Sequence, residues 1–138
     1  MAGTAEVLKR LPKKAGVTYP CLTPNEKALE TYHSSGSDQY CDEVAIFLSA
    51  TEGFNKANLN RTVAESLQIC QAVADKAKAS GVRFRGYVST VIGCPFDGAV
   101  EPKQVTSLAK ALLDMGCYEV SLGSVMALPL HSSLIFSQ

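Results

Sequence analysis

Three polar side chains that could bind a charged ligand occur at alternate positions near the middle of the chain. Arg85, Tyr87 and Ser89 are two residues apart, and side chains at this spacing in a strand point to the same side of a sheet. Burying an arginine and a tyrosine on a strand face is costly unless each finds a partner. The pattern therefore favours a strand whose end faces a ligand pocket. The alternative is that Arg85 lies at the edge of the sheet in solvent.

A thiol follows the same strand. Gly93, Pro95 and Gly98 break the backbone into a loop, and Cys94 lies within it. A catalytic thiol needs a depressed pKa and a nearby cation or base, and the sequence places no evident one beside Cys94. We therefore interpret Cys94 as a structural cysteine.

Metal, disulfide and nucleotide chemistry lack their usual sequence signals. The five cysteines include no C-x-x-C, and the two histidines, His33 and His131, are isolated and far apart. Neither a G-x-G-x-x-G nor a Walker sequence occurs, so dinucleotide and P-loop binding lose their usual evidence. The cysteine usage favours a reducing compartment.

The composition favours a globular domain and argues against two classes of partner. With 138 residues, 46% of them hydrophobic, the chain can bury a core. Lys plus Arg equals Asp plus Glu at 13 each, so we expect no binding to nucleic acid or to an anionic membrane surface. No apolar run approaches about 18 residues and no signal-peptide pattern occurs, so we expect no membrane span and no targeting segment.

Strand-like and helix-like segments alternate along the chain. Thr62 and Glu65 have the spacing of a capping box, which predicts the start of a helix, and the polar stretch 49–61 before it is predicted to be irregular. The predicted strands cover residues 17–22, residues 43–48, the first half of 85–98, and residues 117–122. The predicted helices cover residues 2–10, 26–32 and 63–79, and a segment from Pro102 until Gly116.

This alternation predicts the α/β class. Strands separated by helices of about 10 to 15 residues form parallel βα units, because a parallel pair of strands needs a crossover connection. Functional side chains of such units lie at the carboxyl ends of the strands. Those ends are predicted at residues 23–25, 49–58, 89–98 and 121–124.

Two segments carry a family resemblance. Residues 85–98, with Arg-Gly-Tyr-Val-Ser and then Gly-Cys-Pro-Phe-Asp-Gly, and residues 115–123, Met-Gly-Cys-Tyr-Glu-Val-Ser-Leu-Gly, resemble the middle of 3-hydroxy-3-methylglutaryl-CoA lyases. The resemblance extends back through residues 54–58 and 19–25 to residues 6–8. It therefore covers roughly residues 4 to 123.

The resemblance implies a TIM-type (β/α) barrel enzyme. Members bind a divalent cation, Mg or Mn, and cleave 3-hydroxy-3-methylglutaryl-CoA to acetyl-CoA and acetoacetate in leucine breakdown and ketone-body formation. A complete barrel needs eight βα units in about 250 residues, and this chain offers about four, so we expect a half-barrel over residues 1–123. An acyl-CoA substrate, a homo-oligomeric state and a mitochondrial or peroxisomal location are also implied.

The resemblance places substrate contacts on three residues. Arg85 and Tyr87, on the pocket-facing side of a barrel strand, would contact the acyl or carboxylate end of the substrate, and a guanidinium can donate two hydrogen bonds to a carboxylate. Asn58, in the loop after the preceding strand, is a further candidate. The alternatives are that Tyr87 is a barrel-core residue with its hydroxyl satisfied and that Asn58 is a loop turn former. Cys94 matches a non-catalytic cysteine of the family.

The family's metal site is missing from this sequence. Its Arg-Asp pair and His-x-His ligands do not occur, so we expect the chain to bind no metal and to be inactive alone. From residue 124 the sequence departs from the family pattern, and the apolar tail 124–138 is a candidate for disorder or aggregation. We hypothesise a truncated or alternatively spliced reading frame.

Two alternatives to a lyase remain at this point. The first is a non-catalytic half-barrel that binds CoA or pairs with another half-barrel. The second is a chain that does not fold independently, because an open half-barrel leaves two unpaired strand edges and one uncovered sheet face.

Overall fold

The computed structural model describes residues 4–124. Between these limits, no helix is both long and apolar enough to cross a membrane. The helices are α1 (Thr4–Arg10), α2 (Glu26–Ser34), α3 (Glu52–Leu59), α4 (Val63–Ala79) and α5 (Pro102–Asp114), with a short 3₁₀ helix at Ser37–Gln39. The strands are β1 (Pro20–Leu22), β2 (Glu43–Ser49), β3 (Arg83–Ser89), β4 (Gly93–Cys94), β5 (Gly98–Ala99) and β6 (Val120–Leu122).

Four of the strands form a parallel sheet in the order β1-β2-β3-β6. The longest pairing joins β2 to β3 over seven residues, with Glu43 opposite Arg83 and Ser49 opposite Ser89. Helices α2, α4 and α5 form the crossovers that parallel neighbours require. The prediction of an α/β fold with about four parallel βα units is confirmed. Strands β4 and β5 form a separate antiparallel pair within the loop after β3.

The core lies between the sheet and its helices. Val44, Ile46 and Leu48 of β2 are at most 1% exposed and face the helices, where Val73 of α4 and Leu112 of α5 are fully buried. The predicted alternation in β3 is confirmed, because Phe84, Gly86 and Val88 are buried on the helix side and their neighbours Arg85, Tyr87 and Ser89 are half-buried. The polar side chains of β3 therefore lie on the face that these helices leave open.

Local sequence signals explain the helix boundaries. The Thr62 side chain accepts a hydrogen bond from the Glu65 amide, and the Glu65 carboxylate accepts one from the Thr62 amide, so the predicted capping box is confirmed. Pro102 begins α5, where a missing amide hydrogen costs nothing. Residues 125–138, which include nearly all of the tail predicted to be disordered, lie outside the described residues.

The prediction that residues 49–61 are irregular is wrong. Helix α3 occupies Glu52–Leu59 and ends at Asn60, which has a left-handed backbone with φ of 54°. Eight residues with little apolar periodicity make a weak helix by themselves. The helix is stabilised by tertiary contacts of Asn55, whose carboxamide accepts from the Ser49 amide and donates to the Thr62 carbonyl.

Gly86 permits the close contact between β3 and α5. A Cβ atom at this position would lie 2.8 Å from Leu112 Cδ1 and 3.3 Å from Cys117 Sγ. We expect Gly86→Ala to lower the free energy of unfolding by about 1–3 kcal/mol, because overpacking a filled core displaces side chains. Urea denaturation measures the change.

A double-mutant cycle tests the cause of this loss. Combining Gly86→Ala with Leu112→Ala should cost less than the sum of the two single losses, because the second change removes the clash. Ser107→Ala, on the exposed face of α5, is the control and should change stability by less than about 0.5 kcal/mol. A strictly additive cycle would contradict this explanation.

Candidate functional site

A charged cluster lies at the amino end of the open sheet face. Arg85 Nη1 is 3.5 Å from Glu43 Oε1, and Arg85 Nη2 contacts the Glu119 carboxylate. The Arg85 side chain is only 17% exposed and that of Glu43 is fully buried. One interpretation of the sequence placed Arg85 in solvent at the edge of the sheet, and this interpretation is wrong. Arg85 is held by carboxylates from β2 and from the segment leading into β6.

Two further side chains complete this cluster around Glu43. The Tyr118 hydroxyl donates to Glu43 Oε2 at 2.6 Å, and Arg83 Nη2 lies 3.5 Å from the same oxygen. The Tyr118 hydrogen bond to the carboxylate, together with burial, raises the pKa of Tyr118. Glu43 Oε1 and Arg85 Nε are nevertheless buried without a hydrogen-bond partner among the described residues. The cluster is tightly held but not fully satisfied.

The charged cluster lies away from the carboxyl ends of the strands. Arg85 precedes Ser89, the last residue of β3, by four positions, or roughly 13 Å at about 3.3 Å per residue. Tyr87 lies between them, with its ring centroid 5.4 Å from the Arg85 guanidinium carbon. Barrel active sites lie at the carboxyl ends. Substrate contact by Arg85 and Tyr87 therefore stays a prediction, and the observed charged contacts of Arg85 are with protein.

A second, uncharged cluster occupies the carboxyl ends of β2 and β3. Ser49 Oγ is 2.6 Å from Thr90 Oγ1, and Thr51 Oγ1 is 3.3 Å from each of these oxygens. Thr51 also donates to Cys94 Sγ at 3.0 Å. All four residues are buried, and Thr90 adopts a left-handed backbone with φ of 59°, which is strained for a β-branched residue. These contacts join the loops that follow the two central strands.

The sequence interpretation missed Thr51 and Thr90. Both fall in segments predicted to follow strands, at residues 49–58 and 89–98, so their position was available as a signal. Their hydrogen-bond partners could not be predicted from the sequence, because the bonds join residues 39 to 43 positions apart in the chain.

Cys94 has a lowered pKa although it is buried. Burial alone would raise the pKa, but hydrogen bonds from the Thr51 hydroxyl and from the amides of Phe96 and Asp97 outweigh it and hold the pKa of Cys94 below its ordinary value of 9.0. Sequence reasoning looked for a cation or base and did not anticipate stabilisation by neutral donors. The Asp97 carboxylate, whose Oδ2 lies 3.9 Å from Cys94 Sγ, acts in the opposite direction, because its charge raises the pKa of Cys94. The contacts of Cys94 support a structural role joining two loops.

Asp97 caps helix α3 from a distant loop. The N-cap residue Thr51 makes no capping bond with its own side chain. Instead, Asp97 Oδ2 accepts a hydrogen bond from the Gly53 amide in the first turn, at 2.7 Å. The approach requires glycine, because a Cβ atom at position 53 would lie 2.5 Å from Asp97 Oδ1. The β4–β5 loop is thereby fixed against α3.

We expect Asp97→Ala to lower the free energy of unfolding by about 1 kcal/mol, the usual cost of removing a helix N-cap. Asp114→Ala is the matched control, because it removes an exposed carboxylate paired with Lys110 at i,i+4, a contact stabilising by about 0.2–0.5 kcal/mol. Urea denaturation measures both losses. Equal losses in the two variants would show that Asp97 acts only as a surface charge.

A small cavity of about 30 Å³ lies beside the uncharged cluster. Its lining includes Phe47, Ser49, Phe54, Asn58 and Ser89. Asn58 was predicted to lie in a loop; it lies instead in α3, with an exposed side chain. Of the three predicted substrate-contact residues, only Asn58 reaches this cavity, which is about large enough for one water molecule. The three do not converge on one pocket.

The divalent cation implied by the family resemblance does not fit the described residues. Across residues 4–124, no group of three or more His, Cys, Asp or Glu side chains is placed to hold a metal ion. The buried carboxylate of Glu43 and its neighbour Glu119 are instead paired with Arg85. We therefore assign no chemical step in this chain to a metal.

Several buried groups resist ionisation. Burial raises the pKa of Cys70 to about 12. It is also the largest cause of the raised pKa values of Cys41 and Cys117, which are both about 11. A raised pKa in the folded state means that the unfolded chain loses its thiol protons first. This contribution to stability is complete below pH 9.0 and declines as the pH rises towards the folded-state values.

We expect the free energy of unfolding to fall between pH 9.0 and about 11. Cys70→Ala should make this fall shallower, because it removes a group that the folded state keeps protonated. Cys94→Ala is the control: its folded-state pKa is lowered, so removing it should not make the fall shallower. Urea titrations at a series of pH values measure the slope, and identical slopes in all three proteins would contradict the assignment.

The fold and the site define the class of protein as an α/β barrel protein. The described residues form a four-stranded parallel part of such a barrel, with one polar cluster at the amino ends of the strands and another at their carboxyl ends. The chain is 44% identical to the hydroxymethylglutaryl-CoA lyase of Pseudomonas mevalonii and 46% identical to the mitochondrial enzyme of Bos taurus, each over 126 residues and 91% of this chain. It spans 40% and 38% of those relatives. No family model matches the chain.

Solved structures agree with the sequence comparison. The crystal structure of hydroxymethylglutaryl-CoA lyase from Pseudomonas aeruginosa matches with a TM-score of 0.79 at 46% identity, covering 89% of this chain and 40% of that one. A lyase from Acinetobacter baumannii, in complex with coenzyme A and 3-methylmalate, matches with a TM-score of 0.78 at 26% identity, covering 88% of this chain and 38% of that one. Over nearly all of the described residues the chain is therefore similar to hydroxymethylglutaryl-CoA lyases, and it spans about two fifths of the relatives it matches.

Proposed function

We propose that this chain forms part of a carbon–carbon lyase that cleaves 3-hydroxy-3-methylglutaryl-CoA to acetyl-CoA and acetoacetate. The observation that carries the proposal is the agreement of sequence and fold with lyases over nearly all of the described residues. The coenzyme A in the Acinetobacter relative supports an acyl-CoA substrate. A role in leucine breakdown and ketone-body formation follows from this reaction.

The chain's own contribution is mainly structural. The hydroxyls of Ser49, Thr51 and Thr90 hold the loops after β2 and β3 at the end of the sheet where barrel enzymes bind substrate. The Asn58 carboxamide projects from α3 beside these loops and is exposed. Asn58 is therefore the best placed of the predicted substrate contacts. To contact a carboxylate of the substrate, Arg85 would first have to break its ion pair with a carboxylate of this chain.

We propose that catalysis needs further βα units and a divalent cation, Mg or Mn, held by residues other than those described here. The alignment with only two fifths of each relative supports the first part, and the pairing of the buried Glu43 carboxylate with arginine supports the second. A mitochondrial or peroxisomal location is proposed as well. The name of the cattle relative supports a mitochondrial site, whereas other relatives are bacterial.

The purified chain should produce no acetoacetate from 3-hydroxy-3-methylglutaryl-CoA with Mg or Mn, but a chimera should. In the chimera, residues 4–123 of this chain replace the aligned segment of the Pseudomonas aeruginosa lyase. Asn58→Ala in the chimera should lower kcat/KM about tenfold, the effect of losing roughly 1.4 kcal/mol of transition-state binding. Acetoacetate release is measured with a coupled assay.

Gln71→Ala, at an exposed position of α4, is the control and should leave kcat/KM unchanged. A folded chimera without lyase activity would overturn the proposed reaction. Metal-dependent turnover by the chain alone would overturn the requirement for further units.

A further inference from the structure

We propose that Ser89 is a further substrate contact, which together with Asn58 binds an uncharged oxygen of the acyl group. Ser89 is the last residue of β3, and its side chain lies on the same face of the sheet as those of Arg85 and Tyr87. Unlike these two residues, it lies at the carboxyl end of the strand, where barrel enzymes bind substrate. This role of Ser89 rests on the proposed lyase function.

The Ser89 hydroxyl is available to a ligand. Within residues 4–124 it makes no hydrogen bond, whereas the Ser89 carbonyl accepts from the Ala50 amide at 3.0 Å and from the Thr90 hydroxyl at 2.7 Å. Ser49 lies opposite Ser89 on β2, and its hydroxyl is bonded to Thr90. The backbone of Ser89 is therefore fixed, while its side chain keeps a donor for a ligand.

Ser89 lies in the interior of the sheet. Strand β3 has a neighbour on each side, β2 and β6, and the structure describes the whole connection from β3 to α5. The surroundings of Ser89 are therefore not those of a sheet edge. The next residue, Thr90, has a left-handed backbone, and backbone strain of this kind is concentrated at functional sites.

The cavity of about 30 Å³ beside Ser89 has the composition of a subsite for a small polar group. Phe47, Phe54 and Leu59 provide apolar walls, and Ser89 and Asn58 contribute polar side chains without formal charge. A cavity of this size holds about one water molecule, so it accepts a single oxygen rather than a whole carboxylate. Neutral donors suit an uncharged oxygen, whereas a carboxylate favours a guanidinium. The hydroxyl and the thioester carbonyl of the acyl group both fit.

The chimera with the Pseudomonas aeruginosa lyase tests this role. In an active chimera, Ser89→Ala should lower kcat/KM about tenfold, because a hydrogen bond to the substrate is lost. Ser107→Ala removes an exposed hydroxyl of α5 that does not line the cavity, and it should leave kcat/KM unchanged. A folded but inactive chimera would overturn the proposed reaction together with this role. An active chimera that keeps full kcat/KM after Ser89→Ala would overturn the role of Ser89 alone.

A double-mutant cycle in the chimera tests whether Ser89 and Asn58 bind the same oxygen. Asn58→Ala should then lower kcat/KM by a smaller factor in the Ser89→Ala background than in the unchanged chimera, because the two side chains act as a unit. Independent losses, which multiply, would overturn the shared contact.

Stability measurements separate substrate binding from a structural role. In the full chain, Ser89→Ala should leave the urea midpoint unchanged, because its hydroxyl has no protein partner among the described residues. Ser49→Ala should lower the midpoint, because Ser49 Oγ is bonded to Thr90 Oγ1. Equal decreases in the two variants would assign the Ser89 hydroxyl to the protein and overturn the proposed contact.

A shortened substrate identifies the part of the ligand that Ser89 contacts. The N-acetylcysteamine thioester of 3-hydroxy-3-methylglutarate keeps the acyl group but lacks the nucleotide of CoA. Ser89→Ala should lower kcat/KM for this thioester by the same factor as for the CoA thioester. A loss seen only with the CoA thioester would place the contact on CoA and overturn the assignment to the acyl group.

Discussion

The parallel pairing of β2 with β3 is the constraint on which the rest of the structure depends. Seven residues of each strand are in register, from Glu43 opposite Arg83 to Ser49 opposite Ser89. Parallel pairing requires a crossover connection, and α4 is that connection. The helix is capped at Thr62 and packs through a stripe of buried residues. The same register places the apolar side chains of both strands against the helices and the polar ones on the opposite face.

The two polar clusters differ because they perform different physical tasks. In the charged cluster at the amino end, the Glu43 carboxylate is fully buried and Arg85 is largely buried, and because isolated buried charges are costly, each is balanced by an opposite charge. The hydroxyl and thiol cluster at the carboxyl end contains no charge and joins two loops across the central strands. The first cluster fixes how the strands lie relative to one another, and the second fixes the loops that a barrel uses for binding.

This chain matches only part of each relative, and for this reason the two faces of its sheet differ. Helices cover one face of the sheet, while the opposite face and both edges carry groups that a closed barrel would bury. Partly satisfied polar groups such as Glu43 Oε1 and Arg85 Nε are therefore expected on the inner face of an incomplete barrel. The same features make the sheet edges the natural place for further strands to bind.

The sequence by itself determined the features that have local causes. The alternation in β3, the capping box at Thr62 and Glu65, and the parallel βα order follow from the periods of strands and helices and from single-turn hydrogen bonds. The motifs at residues 85–98 and 115–123 indicated the resemblance to hydroxymethylglutaryl-CoA lyases that the comparisons also find. These signals need no knowledge of which distant residues meet.

Only the tertiary structure decided the partners of the polar side chains. Helix α3 is stabilised because its Asn55 side chain accepts from the Ser49 amide outside the helix and because Asp97, on a distant loop, accepts from the Gly53 amide. Arg85 is held by carboxylates 42 positions earlier and 34 positions later in the chain. Such contacts depend on strand register and loop position, which no local pattern encodes. For this reason the sequence identified Arg85 as a buried polar residue but could not show whether its partner is a ligand or the protein itself.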